Sequence, residues 1–467
     1  MSEPVNVVIL AAGEGTRMKS RRAKVLHCAG GLPLVEHVLN TAAELTAEEN
    51  IVVVIGHRAE EVKAALRHRN VRFALQNEQR GTGHAVMVCR EELKPAGLLV
   101  VLYGDCPLLS AGTLRRLIDT QNRSGAAATL ITTRLADPTG YGRILLDERG
   151  NVKAIVEQKA ASPEQLAIDL INPGMYCFRS DLLWKHIGEI GTANPAGEYY
   201  LTDMVEILTR AGHAVAAMES LDSSELLGIN TRIELAEVDR IFRARKCREL
   251  MLAGVTIEKP ETVTIDMPVA IGVDTIVGPF THILGRTEIG GDCHIGAGCV
   301  IESSQIESGV RIAPYTLIAT SRVGREAHLG PFSRLRLEND VGAGAHIGNF
   351  VELKKTRIGA GSKANHLAYL GDAEIGDRAN IGAGTITCNY DGVKKHPTHI
   401  GDNAFVGSNA TLVAPLEVGS DSYIGAGSTI TQPVPPGALA VGRAHQVNKE
   451  GWVEKRRAKK TDERLRS

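Results

Sequence analysis

The sequence has no surplus of either charge: 53 lysines and arginines stand against 54 aspartates and glutamates in 467 residues. That balance excludes the global basic excess that coats a nucleic-acid-binding surface, and no nucleic-acid partner is expected. Aromatic residues are scarce, at 4%. No stretch of about 18 apolar residues occurs, and the run at residues 5–12 is too short to span a bilayer. The opening Met-Ser-Glu-Pro carries an acid and lacks a basic n-region. A cytoplasmic chain without a membrane partner is expected. The eight cysteines are scattered with no Cys-x-x-Cys pair, and Cys293 and Cys299 are six apart, a repeat spacing. This pattern excludes a disulfide framework and a zinc site. Missing too are the Gly-Lys-Ser/Thr of a Walker loop and the third glycine of the dinucleotide fingerprint, where Met18 stands instead.

Glycine is abundant, with 49 residues, and more than half of them lie at or after Gly272. The two halves are therefore built differently, and the length calls for two or three domains. The first 230 residues alternate β-branched runs (Val5–Leu10, Ile51–Ile55, 98–102, 127–132) with amphipathic stretches (59–68, 82–93, 112–123). This alternation predicts an α/β doubly wound, mostly parallel sheet that binds ligands beyond the carboxyl ends of its strands. Residues 231–254 read as a polar connector helix with an apolar stripe (Ile233, Val238, Ile241, Phe242, Cys247, Leu250) and Gly254 as a stop signal.

From Ile271 the period becomes six: Ile271, Val277, Ile283, Ile289, Ile295, Ile301. Five-residue slips precede two further series, Ile306 to Ile318 and Val323 to Leu353, and the period returns from Ile400 to Ile430. Glycine often follows the aliphatic residue, as at Gly272, Gly290 and Gly401. A period of six fits a parallel β-helix in which the aliphatic residue points into a triangular prism and the small residue after it permits the corner. The insertion at 389–399 breaks the period and is expected to project as a loop. Domains are thus expected at 1–230 and 255–445, joined by the 231–254 helix. A basic, solvated tail follows at 446–467.

The segment LAAGEGTRM, beginning at Leu10, follows a strand directly. Its glycines and alanines let backbone amides approach a phosphate or base, with Arg17 and Lys24 adding positive charge. Asp105 ends an apolar strand, where a carboxylate suits Mg²⁺ and equally suits a helix cap or loop salt bridge. Gln76, Gly81 and Thr82 follow another strand and suit the reading of a base edge. In the second half, a histidine is the side chain that ordinarily titrates near neutrality, so His366 suits the role of a general base, though a lone histidine also serves as a hydrogen-bonded structural residue.

Together these segments (LAAGEGTRM, AKVLH, LQNEQRGTGHA, LYGD, DPTGYGR, IVEQK and the late Gly-Ile-Asn230) resemble the sugar-nucleotide pyrophosphorylases. The second half resembles the left-handed β-helix acetyltransferases of the hexapeptide-repeat class. The first resemblance implies Mg²⁺-dependent uridylyl transfer from UTP to N-acetylglucosamine-1-phosphate, releasing pyrophosphate. Leu10, Ala11, Ala12, Gly13, Gln76, Gly81 and Thr82 would hold the nucleotide, and Tyr103 and Gly104 would join the substrate-binding set. Arg17 and Lys24 would neutralise phosphate charge, Asp105 and Asn230 would hold Mg²⁺, and Gly140, Glu157 and Asn172 would grip the amino sugar. The second resemblance implies acetyl transfer from acetyl-coenzyme A to glucosamine-1-phosphate with His366 as general base. Arg336, Lys354 and Tyr369 would bind the phosphate and Asn380 would face the sugar. Ala383, Asn389, Tyr390, Ser408, Ala426 and Arg443 would line the acyl-donor path. A homotrimer is implied, as is a place in making UDP-N-acetylglucosamine for peptidoglycan and lipopolysaccharide precursors. The chain departs from the family at Ala23 and Leu337, where proline is usual, and at Pro173, where threonine is usual. Two other readings remain: a pyrophosphorylase whose β-helix serves assembly alone, and a non-catalytic scaffold.

Overall fold

The computed structural model describes residues 3–93, 97–148 and 150–466, with side chains described through residue 460. The chain divides into two compact units, Met1–Lys246 and Cys247–Ser467.

In the first unit, Val5–Leu10 lies between Ile51–Ile55 and Leu98–Tyr103, all parallel, with Arg72–Leu75 beyond Ile51–Ile55. Apart from Asn6 and Arg72 these runs are apolar, because both faces of the sheet are covered. Val7, Ile9, Val53 and Leu102 fill one core, and Val8, Val52, Val54 and Val101 the other. Past Leu98–Tyr103 the sheet is mixed: Tyr176–Arg179 runs antiparallel between it and Ala128–Arg134. Val215–Glu219 pairs parallel with Ala128–Arg134. An antiparallel ribbon of Leu170–Asn172, Gly142–Leu146 and Val152–Val156 extends from there. The predicted helices at 59–68 and 82–93 end early, as Ala59–Ala65 and Thr82–Met87. The second tightens past its end, where the Cys89 N–H donates to the Val86 carbonyl at 3.0 Å.

The connector is the helix Arg232–Leu252. A capping box opens it: the Glu234 N–H donates to Thr231 Oγ1 at 3.2 Å, and Glu234 Oε2 accepts the Thr231 N–H at 2.7 Å. Val238, Phe242, Cys247 and Leu250 are buried, but Ile233 is 83% exposed, against the predicted stripe. At about 100° per residue, nine residues place Ile233 on the face opposite Phe242. The division between the units falls inside this helix, after Lys246.

The second unit is a left-handed parallel β-helix of three sheets, in which strands pair with the third one after them until the last coil, where Tyr423–Ile424 pairs with Leu439–Ala440. Val277 stands beside Ile295, then Ile312, Leu329, Ile347, Ala364, Ile381, Val406 and Ile424 in successive coils. The predicted inward residues are all buried. The corners are made otherwise than predicted. The left-handed backbone sits three positions after the inward residue, at Asp274, Phe280, Glu326 and Asn403, and often without glycine. Glycine directly after the inward residue answers to a close approach instead: a Cβ on Gly359 would lie 2.3 Å from the Gly376 carbonyl carbon, one coil on. The insertion is a short hairpin closed by a Tyr390–Lys395 bridge, and its predicted last residue, His399, already belongs to the strand Thr398–Ile400. The tail forms the helix Trp452–Arg466.

Candidate functional site

At the carboxyl edge of the parallel strands a cavity of about 390 Å³ opens. Leu10, Ala11, Ala12, Gly13, Lys24, Gln76, Gly81, Thr82, Tyr103, Asp105 and Asn230 all line it. Gly13 has open space where a Cβ would stand, so a ligand can lie against its backbone. Gln76 is buried, and its Nε2 donates to the Gly81 carbonyl at 3.0 Å. Gly104 lies beneath the cavity, its N–H donating to the Leu10 carbonyl at 2.9 Å. Ala23 precedes the short turn Lys24–Leu26 at φ −56°, a value proline also adopts, so the departure keeps the local backbone.

The charged centre is a four-residue knot. Lys24 Nζ forms an ion pair with Asp105 and donates to Asn230 Oδ1 at 2.9 Å; Arg17 Nη2 donates to the same oxygen at 2.9 Å. The Ile229 N–H donates to the Asp105 carbonyl at 3.0 Å, and the Asn230 N–H donates to Glu234 Oε2 at 2.6 Å. The helix cap thus fixes Asn230 beside Asp105 although 125 positions separate them. Two hard oxygens converge where positive charge is already held, and that donor set fits Mg²⁺.

A second cavity of about 460 Å³ adjoins the first, sharing Thr82, Tyr103 and Glu198 with it. Gly140, Glu157 and Asn172 line it, together with Pro173 and Gly174. Asn172 Nδ2 donates to the Tyr176 hydroxyl at 2.7 Å, and its Oδ1 accepts the Gly174 N–H at 3.1 Å. Burial pushes the Glu157 carboxyl above its ordinary value and nearby Asp203 adds to this, while a hydrogen bond from Thr202 opposes it. Burial, then Asp105, pushes the Tyr103 phenol up, so Tyr103 remains a proton donor. The segment around Glu198, Tyr200 and Thr202 was not singled out in the sequence, although an acid, two tyrosines and a threonine follow Gly197 in close succession.

In the β-helix, His366 ends the strand Lys363–His366 and stands in register with Asn349 of the preceding coil. Its Nδ1 lies 2.9 Å from Asn349 Oδ1. An amide oxygen accepts, so the proton sits on Nδ1 and Nε2 keeps its lone pair. Asn349 is a partner of the His366 ring that sequence reasoning missed; the signal was its place two positions after Ile347, as His366 follows Ala364. Around the next corner, Tyr369 is in register with Glu352, and the Arg336 N–H donates to the Leu353 carbonyl, which places Arg336 beside Lys354. Arg336 Nη1 reaches Glu352 Oε1 at 3.1 Å. Lys395 from the hairpin lies against Lys354 and pushes its ammonium below the ordinary lysine value, with burial and Arg336 acting the same way and Asp372 opposing. Asn380 is in register with Lys363. Asn389 is buried and bonds Asp372, while the Tyr390 hydroxyl donates to the Gly392 carbonyl at 2.6 Å.

Ala383, Ser408 and Ala426 each stand two positions after an inward residue on consecutive coils, so they share one prism edge. Arg443 Nη1 donates to the Ala426 carbonyl at 2.7 Å. His366 and Asn380 lie on one sheet and Arg336, Lys354 and Tyr369 on the next, so the site straddles an edge.

Residues 7–163 match the model of the MobA-like NTP transferase domain, and residues 397–432 that of the bacterial transferase hexapeptide (six repeats). The chain is 58% identical to the bifunctional protein GlmU of Solibacter usitatus over 98% of each chain. It is 51% identical to that of Koribacter versatilis over 97% of each, and 52% identical to that of an Anaeromyxobacter species over 97% of this chain and 93% of the relative.

Proposed function

The chain belongs to the bifunctional GlmU family, and from that premise we propose how its two sites divide the work. It is a bifunctional uridylyltransferase and acetyltransferase. The second unit acetylates glucosamine-1-phosphate with acetyl-coenzyme A. The first transfers a uridylyl group from UTP to the resulting N-acetylglucosamine-1-phosphate, giving UDP-N-acetylglucosamine and pyrophosphate for cell-envelope precursors.

In the nucleotide cleft, Gln76, Gly81 and Thr82 orient the base while the Leu10–Gly13 backbone lies along the nucleotide. The sugar-1-phosphate oxygen attacks the α-phosphorus in line and pyrophosphate leaves, so no protein nucleophile is needed. Arg17 and Lys24 neutralise the charge that builds on the phosphates. Asp105 and Asn230 would hold Mg²⁺, which supplies further charge neutralisation and orientation of the phosphates when bound. Glu157 and Asn172 hold the sugar hydroxyls and amide. In the β-helix site, the amine of glucosamine-1-phosphate attacks the thioester carbonyl, His366 Nε2 takes the amine proton, and coenzyme A leaves as the thiolate. Asn349 fixes the imidazole, Arg336, Lys354 and Tyr369 bind the sugar phosphate, and the Ala383–Ser408–Ala426–Arg443 edge carries the acyl donor. Because that site straddles a prism edge open to solvent, we place it in a homotrimer, where a neighbouring prism closes it; the balanced, scattered-thiol sequence accords with a cytoplasmic location.

The observation that carries this reading is the knot of Arg17, Lys24, Asp105 and Asn230 in one unit together with the Asn349–His366 pair in the other. A paired substitution tests it. Asp105→Ala is expected to abolish uridylyl transfer and spare acetyl transfer, and His366→Ala to do the reverse. Equal loss of both activities in either variant contradicts two independent sites.

A further inference from the structure

Gln76 follows the strand Arg72–Leu75 and is buried in the wall of the nucleotide cavity. Its backbone is fixed there, because its N–H donates to the Ile55 carbonyl at 2.8 Å. The side-chain amide has one end that donates and one that accepts, and the end that faces the cavity decides what the cavity reads. One end lies 3.0 Å from the Gly81 carbonyl oxygen. A carbonyl only accepts, so that end is Nε2. The same Nε2 lies 3.1 Å from His84 Nδ1. An amide nitrogen only donates, so Nδ1 bears the lone pair and the imidazole hydrogen sits on Nε2 of the ring. Both amide hydrogens of Gln76 are thereby engaged. Its Oε1 is left without a partner among the described residues and is not enclosed by protein.

His84 itself does not line the cavity; it stands half-buried on the helix Thr82–Met87. The start of that helix is clamped by a distant segment. The Gly83 N–H donates to the Tyr199 carbonyl and the Tyr199 N–H to the Arg80 carbonyl, both at 2.8 Å. The Leu201 N–H donates to Thr82 Oγ1 at 3.0 Å. The Arg80 guanidinium lies 5.0 Å from the centre of the Tyr199 ring, and the His84 ring lies 6.2 Å from it. Both acceptors that hold the Gln76 amide therefore belong to one clamped corner. If the amide turned over, its oxygen would face the Gly81 carbonyl and the His84 lone pair with no hydrogen between them, and such unmatched buried groups are costly.

We propose, resting on the assignment of Gln76 to the base, that His84 is a positioning residue that makes the cleft select uracil over cytosine by holding the Gln76 amide with its oxygen toward the base. Uracil carries a hydrogen on N3, which Oε1 accepts. Cytosine carries a lone pair at N3, so two acceptors meet and the wrong base is repelled. Reading cytosine needs the turned amide that Gly81 and His84 together oppose. The Gly81 acceptor is backbone, whereas the His84 acceptor is a side chain and can be removed.

The test is steady-state kinetics of the full chain with N-acetylglucosamine-1-phosphate, Mg²⁺ and either UTP or CTP, read as the ratio of the two kcat/KM values. Wild type is expected to favour UTP strongly. His84→Leu, which removes the acceptor, is expected to lower the ratio by roughly tenfold or more, with most of the change in KM. His84→Asn, whose side-chain oxygen can accept in place of Nδ1, is expected to restore it. Loss of folded protein lowers both activities alike and leaves the ratio untouched, so the ratio reports positioning and not integrity. Gln76→Leu is the control for the base contact. A ratio that falls in Gln76→Leu but keeps its wild-type value in His84→Leu overturns the role of His84 and leaves Gln76 as the base reader. A ratio unchanged in both variants removes Gln76 from the base and His84 with it. Failure of His84→Asn to recover a ratio lost in His84→Leu assigns the loss to packing and overturns the proposal. A wild type that does not distinguish UTP from CTP overturns it outright.

Discussion

Glu157 shows how one side chain carries a pH dependence of its own. Its carboxyl is held above the ordinary glutamate value by burial and by Asp203. As pH falls it is therefore protonated before an exposed glutamate would be, and in the sugar-binding role proposed for it the carboxylate is lost as an acceptor. Affinity for N-acetylglucosamine-1-phosphate is expected to weaken from that raised value downward, and Glu157→Gln is expected to flatten the profile in calorimetric titration. An unchanged profile in the variant removes Glu157 from the sugar pocket. The linked effect on stability has the opposite sign to that of a salt-bridged acid, because the folded state binds the proton more tightly and gains stability as pH falls through the raised value. At His366, Asn349 fixes which nitrogen is free. His366→Ala is expected to cost about 10²–10⁴ in acetyl-transfer rate, and Asn349→Leu a smaller loss in kcat with KM held. Arg17, Lys24 and Asp105 were singled out in the sequence by the motifs that carry them, since a strand-end carboxylate by itself equally suits a helix cap or a loop salt bridge. Asn349 was not legible, since its role depends on stacking across coils rather than on neighbours along the chain.

The hexad of the β-helix was visible at once because each coil repeats the same burial demand. What the hexad hid was the reason for its glycines. Gly359 makes room for the next coil, so Gly359→Ala must push backbone apart. Overpacking of this kind costs about 1–3 kcal/mol, and a lowered melting temperature of the second unit in calorimetry is the expected result. An unchanged melt shows that the coils can separate freely there. The hairpin after Cys388 is held by Asp391, whose Oδ1 accepts the Val393 and Lys394 N–H groups at 2.8 and 2.7 Å, while its Oδ2 pairs with His396 at 2.7 Å. These partners, the Lys394 amide foremost, bring the Asp391 carboxyl down to about 2. Its contribution is present above the ordinary aspartate value and is lost as pH falls toward about 2. Asp391→Asn is expected to speed hydrogen exchange of the Val393 and Lys394 amides at neutral pH. Exchange as slow as wild type means that the turn does not depend on the carboxylate. Ile233 illustrates a limit of reading periodicity: an apolar residue in a first helical turn looks like part of a stripe, yet the helical period carries it to the outer face.

At the scale of the whole chain, two architectures with unrelated periods each bring their chemistry to an edge. In the first unit it is the carboxyl edge of a parallel sheet, and in the second it is a corner of a prism. Alternation of strands and helices announced the first, and the hexad announced the second. The antiparallel ribbon beside the second cavity was hidden, because its strands are short and Leu170–Asn172 joins it through pairings distant in sequence. The central claim is that one chain performs both transfers in order, acetylation before uridylylation. Mass spectrometry of products decides it, with purified protein supplied with Mg²⁺, UTP, glucosamine-1-phosphate and acetyl-coenzyme A. UDP-N-acetylglucosamine is expected, and only when acetyl-coenzyme A is present. If the protein converts N-acetylglucosamine-1-phosphate supplied ready-made but never glucosamine-1-phosphate, the β-helix serves assembly alone and the account of His366 is wrong.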